Sequence, residues 1–177
     1  MLKKIGFLFL IVLCTLLVAC GGTNEVVDES NVLITFSDVK ITELDAENAR
    51  VTADETLHDA AKDLLFQEMM VVEAEKAGIT YEEFDLEALV NQTKQMFEYD
   101  EEAIAFLTAK SELYKLSPEE YIDTIWRDGL KKKLIGNKYL MEQIDFSEKD
   151  EAEVAIEIEQ IRTELLKKYD DQIEFHF

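Results

Sequence analysis

Cysteine, histidine, proline and positive charge are all scarce in this chain, and each scarcity excludes something. Cys14 and Cys20 are the two cysteines among 177 residues, too few for a disulfide framework. His58 and His176 are the only imidazoles. A zinc site wants three or four clustered N, S or O ligands, and no such spacing occurs. Pro118 is the sole proline, and the six glycines build no phosphate-cradling loop. There is no G-x-S-x-G elbow and no usable cysteine nucleophile, and no pair of carboxylates stands out for acid–base work. The expectation is a protein with no catalytic residues, no cofactor and no metal. Lys and Arg number 18 against 39 Asp and Glu, for a net charge of −21. Nucleic acid needs clustered cations to displace counterions, so it is excluded as a partner. The same charge argues against a protein lying flat on an anionic bilayer. Acid clusters at Asp100–Glu102, Asp150–Glu153 and Asp170–Asp171 lack calcium-loop spacing, and read as helix caps and solvated charge.

What the chain does have begins with residues 1–19. Lys3 and Lys4 precede an apolar run, Ile5 to Val18, that is short for a membrane span. It ends in Leu17-Val18-Ala19-Cys20, followed by Gly21-Gly22. The Leu-x-Ala-Cys arrangement looks like the lipobox of bacterial lipoproteins. The resemblance implies a signal peptide over 1–19, removed before Cys20, and a lipid on the Cys20 sulfur and on its new amine. It places the protein at the extracytoplasmic face of a bacterial cell membrane, tied there by its N-terminal lipid. Loss of Lys3 and Lys4 would take the formal charge to −23, and residues 20–31, polar and acidic, read as a tether.

From residue 32 onward the pattern is mainly α, one helical domain of five or six helices over 32–177 with a short β-strand at each end. Val32 to Phe36 is a β-favouring run, Ser37-Asp38 suits a turn, and Val39 to Ile41 can return antiparallel. Thr42 to Asp45 opens a short helix toward Arg50. Asp54 is placed to cap a helix running to Ala77, with His58 pairing to Asp54, and Gly78 to stop it. Its apolar arc is wide enough for burial on more than one side. Thr80 to Glu83 reads as the capping box of the next helix, and Asp100 to Glu102 as the start of a third.

The longest stripe follows Ser117-Pro118-Glu119-Glu120, which combines an N-cap, a proline fitted to the first turn and a capping-box acid. Ile122, Ile125, Trp126, Gly129, Leu130, Lys133, Leu134, Asn137, Leu140, Met141 and Ile144 recur three and four residues apart. Arg127, Lys131, Lys132 and Lys138 occupy the opposite face. They read as a solvated face paired with acidic neighbours, with a docking patch at Lys131–Lys133 as the alternative. Ser147 to Asp150 opens a last helix, and Ile173 to Phe177 alternates as a strand does. The two terminal strands can pair beside the helices.

This order of features resembles the N-terminal chaperone domain of extracytoplasmic foldases of the SurA/PrsA type. Val32 to Leu44 reads VLITFSDVKITEL, a strand–turn–strand with Asp38 where glycine is commoner in that family. Glu73 to Ile79 reads EAEKAGI; Thr80–Glu83, Asp100–Leu107 and Leu116–Tyr121 follow in family order. The resemblance spans residues 32–144. In such proteins the helical domain holds non-native polypeptide, and a parvulin-type prolyl isomerase domain is often inserted before the last helix. Ile144 is followed within a few residues by Ser147, which leaves no room for that domain. The resemblance implies a chaperone-like module without isomerase activity, with unfolded or envelope polypeptides as partners. An adaptor for one specific envelope partner is the alternative.

A holder of non-native chains needs adaptable apolar surface, to which methionine and aromatic residues are suited. Met69, Met70, Met96, Phe97, Tyr99, Phe106, Tyr114, Trp126 and Met141 are the candidates, each with core packing as its competing role. Met96, Phe97, Tyr99 and Phe106 flank a helix junction and are the expected polypeptide-binding residues. The anchor has a direct check. Cys20→Ala is expected to move the protein out of the detergent phase in partitioning, whereas unchanged partitioning contradicts lipidation at Cys20.

Overall fold

The computed structural model describes residues 31–177 apart from Ala53 and Glu148; the expected signal peptide, Cys20 and tether lie outside the described residues. Strand β1 (Val32–Phe36) turns at Ser37-Asp38 into β2 (Val39–Thr42), and β3 (Ile173–Phe175) pairs antiparallel with the other edge of β1. The sheet order is β2-β1-β3, so the two ends of the described chain meet. Ser37 takes φ 53° at the turn, a left-handed conformation uncommon outside glycine. The turn aims Ser37 at the third strand: its N–H donates to Gln172 O at 3.0 Å and its hydroxyl to Gln172 Oε1 at 3.0 Å.

Six helices complete the described body. Thr42 ends β2 and caps α1 (Glu43–Ala49) in a reciprocal box with Asp45. Helix α2 (Leu57–Lys76) starts at Thr56, whose hydroxyl accepts from Asp59 N; Asp54, expected as its cap, lies outside it. A threonine three residues ahead of an acid offers both halves of a local hydrogen-bond pair, which Asp54 does not. His58 also departs from expectation: its ring stacks on Phe177, with centroids 3.9 Å apart, rather than pairing with Asp54. At the other end Gly78, at φ 73°, lets Ile79 N reach Ala74 O at 2.8 Å and Gly78 N reach Glu75 O at 3.0 Å. Those two bonds are a Schellman ending, and they turn buried Ile79 back on the core.

Helix α3 (Leu86–Tyr99) is capped by Asp85, and not by the Thr80 box. Helix α4 is Glu101–Leu113. Helix α5 begins with Pro118–Tyr121 behind the Ser117–Glu120 box, passes through a π-helical segment, Ile122–Trp126, and continues as Arg127–Gln143. Helix α6 (Glu151–Lys168) is capped by Asp150 with Glu153, in place of Ser147, and a 3-10 turn, Asp170–Gln172, leads into β3. No described helix is long and apolar enough to cross a membrane.

Apolar burial falls into two clusters. The first packs the sheet, α1 and α6 around α2, whose Ala60, Ala61, Leu65 and Met69 are at most 1% exposed. Alanines at 60, 61 and 74 flank the large Leu65, Phe66, Met69 and Met70, which lets neighbours approach closely near both ends. The second is smaller and joins α3 and α4 to the first half of α5 through Leu86, Val90, Leu107, Tyr121, Ile122 and Leu134. Helix α5 serves both, since its Ile135 and Tyr139 belong to the first. Met141, expected on its buried stripe, is 49% exposed, and Gly129 faces open space.

A polar clamp ties the ends of α2 and α6 together. Glu73 accepts from Lys168 Nζ at 2.6 Å, from Lys76 Nζ at 3.2 Å and from the Tyr169 hydroxyl in a short bond. Tyr169 meanwhile packs edge-on to Phe36, with centroids 5.2 Å apart. Burial works against the Glu73 charge, but Lys168, Tyr169 and Lys76 together outweigh it and bring its pKa down to about 2. The folded-state value lies below the unfolded one, so this stabilisation is complete above the unfolded pKa of about 4.3. It is lost as pH falls toward about 2. Glu73→Gln is expected to cost about 1–2 kcal/mol at pH 7 after allowance for solvent screening. In urea titrations the gap to the parent should narrow as pH falls from 4.3 toward 2; a gap independent of pH contradicts the clamp.

Candidate functional site

The expected polypeptide-binding residues flank the turn from α3 into α4, three in the last turn of α3 and Phe106 midway along α4. One residue makes the turn. Asp100 N donates to Met96 O at 2.8 Å to close α3, while its carboxylate accepts from Glu102 N and Ala103 N, each at 3.0 Å, to open α4. A cap shared between two helices leaves almost no slack, so the flanking side chains are set by the helix directions. Tyr99 projects into solvent and is 73% exposed; Ile104 on the next turn is 36% exposed. Met96, Phe97 and Phe106 are half-buried. Phe97 and Phe106 rest against the second apolar cluster, and Phe106 meets Trp126 edge-on at 6.2 Å. Met96, Phe97 and Tyr99 therefore lie in the last turn of α3 and Phe106 midway along α4, and they differ in role. Tyr99 is free surface, and the two phenylalanines are part floor and part rim.

The other apolar candidates separate cleanly. Met69 is fully buried and Met70 is 7% exposed, so both are core. Tyr114 and Trp126 are partly buried against the second cluster. Helical periodicity could not make this distinction, because a stripe gives the direction of a side chain but not how far its neighbour covers it.

Polar contacts fix the floor beneath the junction. Trp126 Nε1 donates to Thr93 Oγ1 at 3.2 Å, and Lys94 Nζ reaches Asp123 Oδ2 at 2.7 Å. Arg127 grips Glu87 with both guanidinium nitrogens, one of them at 2.9 Å. All three join α3 to the π-helical part of α5 or the residue after it. A π-turn widens the helix by one residue, which re-aims the side chains around it. Nothing in the stripe announced the insertion.

On the far side, α4 is fastened to α1. Lys110, only 7% exposed, donates from Nζ to Glu47 O at 2.7 Å and to Arg50 O at 3.5 Å. Burial lowers its pKa, and Glu47 opposes that effect. Placing a cation on the last carbonyls of α1 satisfies groups that the helix cannot, and suits its dipole. Tyr121 supports the same corner through its hydroxyl, which donates to Asn48 Oδ1 at 2.6 Å. Burial pushes the Tyr121 pKa up to about 12, so the phenol stays a donor.

The basic run on α5 resolves into pairs. Lys132 reaches Glu68 on α2 at 2.8 Å and Asp128 at 3.4 Å, Lys138 pairs with Glu83, and Lys131 lies over the Tyr81 ring at 4.8 Å. Lys133 is half-buried, and burial holds its pKa down. Arg127, Lys132 and Lys138 are thus paired with acids, as a solvated face predicts, whereas Lys131 rests on a ring.

No group of three or more His, Cys, Asp or Glu that could hold a metal stands together among the described residues. Two of the acid clusters work as caps, Asp100 for α4 and Asp150 for α6. Comparison of the chain with family models, curated proteins and solved structures gives no match.

Proposed function

We propose that this chain is a membrane-tethered, chaperone-like module of the SurA/PrsA type, without prolyl isomerase activity. In this reading it holds non-native secreted or envelope polypeptide at the outer face of the cell membrane. The observation that carries the reading is the α3–α4 junction. An exposed tyrosine, an exposed isoleucine and three half-buried methionine or phenylalanine side chains lie between the last turn of α3 and the middle of α4. Non-native chains offer scattered apolar groups, and a surface that accepts them must repack around different side chains. Methionine does this through its flexible thioether, and aromatic rings offer large contact area at low entropy cost. The high negative charge supports the role by keeping a loaded holder soluble. The layout that led to the family resemblance, a terminal strand pair beside a helical body, supports it too.

The test is light scattering of two unrelated unfolding proteins in the presence of the purified chain lacking residues 1–20, which holds every described residue. Suppression of both aggregations is expected. Tyr99→Asp should weaken it several-fold without unfolding the chain, because Tyr99 contributes little to either cluster. Substitutions at Phe97 or Phe106 would confound binding with stability, since both contact the second cluster. No suppression by a folded chain contradicts the holder reading and favours an adaptor for a single envelope partner.

A further inference from the structure

Among the described residues the outer edge of β3 is unpaired, and its sequence is complementary to itself. His176 N donates to Leu33 O at 2.9 Å, and Ser37 N to Gln172 O at 3.0 Å. Even-numbered residues of this segment therefore direct their backbone groups at β1. By the alternation of an antiparallel ladder, the N–H and C=O groups of Ile173, Phe175 and Phe177 point the other way. Among the described residues β3 is an edge of the sheet and those groups have no partner. The side chains on that edge are apolar and half uncovered: Phe175 and Phe177 are each 46% exposed. Phe177 is held in place by His58 stacked on it, by Phe175 at 5.7 Å and by Lys62 at 5.8 Å. Unpaired edges with apolar side chains seek another strand, and proteins usually block them with charge, proline or a covering element. Here no described element covers the apolar side.

We propose that a second copy of this chain occupies the edge, its β3 pairing antiparallel with the first across a two-fold axis at Phe175. The register follows from which residues face outward. Outward-facing Ile173, Phe175 and Phe177 must meet outward-facing residues of the partner, so the axis can fall at 174, 175 or 176. An axis at Glu174 sets glutamate against glutamate, and one at His176 sets histidine against histidine. The axis at Phe175 pairs Phe175 with itself and Ile173 with Phe177, using all three outward residues. It also sets Glu174 of each copy opposite His176 of the other, in the close, non-hydrogen-bonded positions where side chains approach best.

Both groups are available for this. The Glu174 side chain is 74% exposed, and His176 lies on the same sheet face with Nε2 2.9 Å from Thr35 Oγ1 and Nδ1 3.9 Å from Glu174 Oε1. The result is a six-stranded sheet continuous through two copies. One patch of surface serves both partners, as a closed two-fold dimer requires. This goes beyond polypeptide holding, because β3 lies on the sheet and the α3–α4 junction rests on the other cluster.

Sedimentation velocity of the chain lacking residues 1–20, over a range of concentrations, reads the association. A concentration-dependent dimer is expected. His176→Glu should raise its dissociation constant at least about tenfold, since each of two symmetric contacts becomes a like-charge pair. The double variant Glu174→Lys, His176→Glu should restore association, with circular dichroism confirming that all three chains are folded. A chain monomeric at every concentration overturns the proposal, as does a dimer indifferent to His176→Glu or a folded double variant that stays monomeric. Protection of the Phe175 amide from exchange only when an unfolded polypeptide is added would also overturn it, assigning the edge to a client.

Discussion

Burial of α2 on several sides is the interaction on which the rest of the structure depends. Ala60, Ala61, Leu65, Met69 and Ala74 are all but sealed from solvent. Fully burying even one leucine or methionine contributes about 1.5–3 kcal/mol. Their faces are shared between the sheet, α1, α5 and α6, so no neighbour can be withdrawn without uncovering them. Helix α5 approaches closely at Gly136, where a side chain would bring its first carbon within 3.3 Å of the Met70 methyl. That proximity lets α5 pass along α2 and then carry α3 and α4 at its other end. The second cluster is thus held through α5, by the anchors Lys110 and Tyr121 on α1, and by the α3–α5 ion pairs.

Those ion pairs orient more than they stabilise. Exposed pairs contribute little, about 0–1 kcal/mol each, but Arg127–Glu87 and Lys94–Asp123 have partners on different helices and so fix a register. Lys132–Glu68 is less exposed and links α5 to α2 in the same way. The buried polar contacts weigh more heavily. Removing Lys110 would leave the last carbonyls of α1 without their donor in a low-dielectric corner.

The sequence made the class of fold legible because that information is local. Stripes at three- and four-residue spacing, the Ser117 capping box and the Gly78 stop all act within a turn or two of helix. The helical body and the strand at each end follow from them, and the pairing of those strands was the simplest way to satisfy two alternating segments. Helix starts were less legible. Thr56, Asp85 and Asp150 took the cap positions from Asp54, Thr80 and Ser147 because several neighbouring polar residues could each serve, and tertiary packing chose among them. Contacts that join distant parts were not legible at all. The π-helical segment, the stacking of His58 on Phe177 and the acids that reach Lys132 and Lys138 from other elements depend on which part lies beside which. Within the candidate site the position of the junction was readable from the Asp100 cap. The division between exposed Tyr99 and half-buried Phe97 and Phe106 was not, because it depends on which side chains the second cluster covers.

These features amount to a rigid frame and a more adaptable lobe. Seventeen buried residues make the first cluster and six the second, so opening the second exposes less apolar surface and costs less free energy. An adaptable lobe carrying Met96, Phe97, Tyr99 and Phe106 beside a fixed frame is what a holder of irregular chains requires. Native-state hydrogen exchange tests this directly. The account predicts that α3 and α4 amides exchange through a sub-global opening of lower free energy, while those of Leu65 and Met69 in α2 exchange only on global unfolding. Equal opening free energies in the two regions would contradict it.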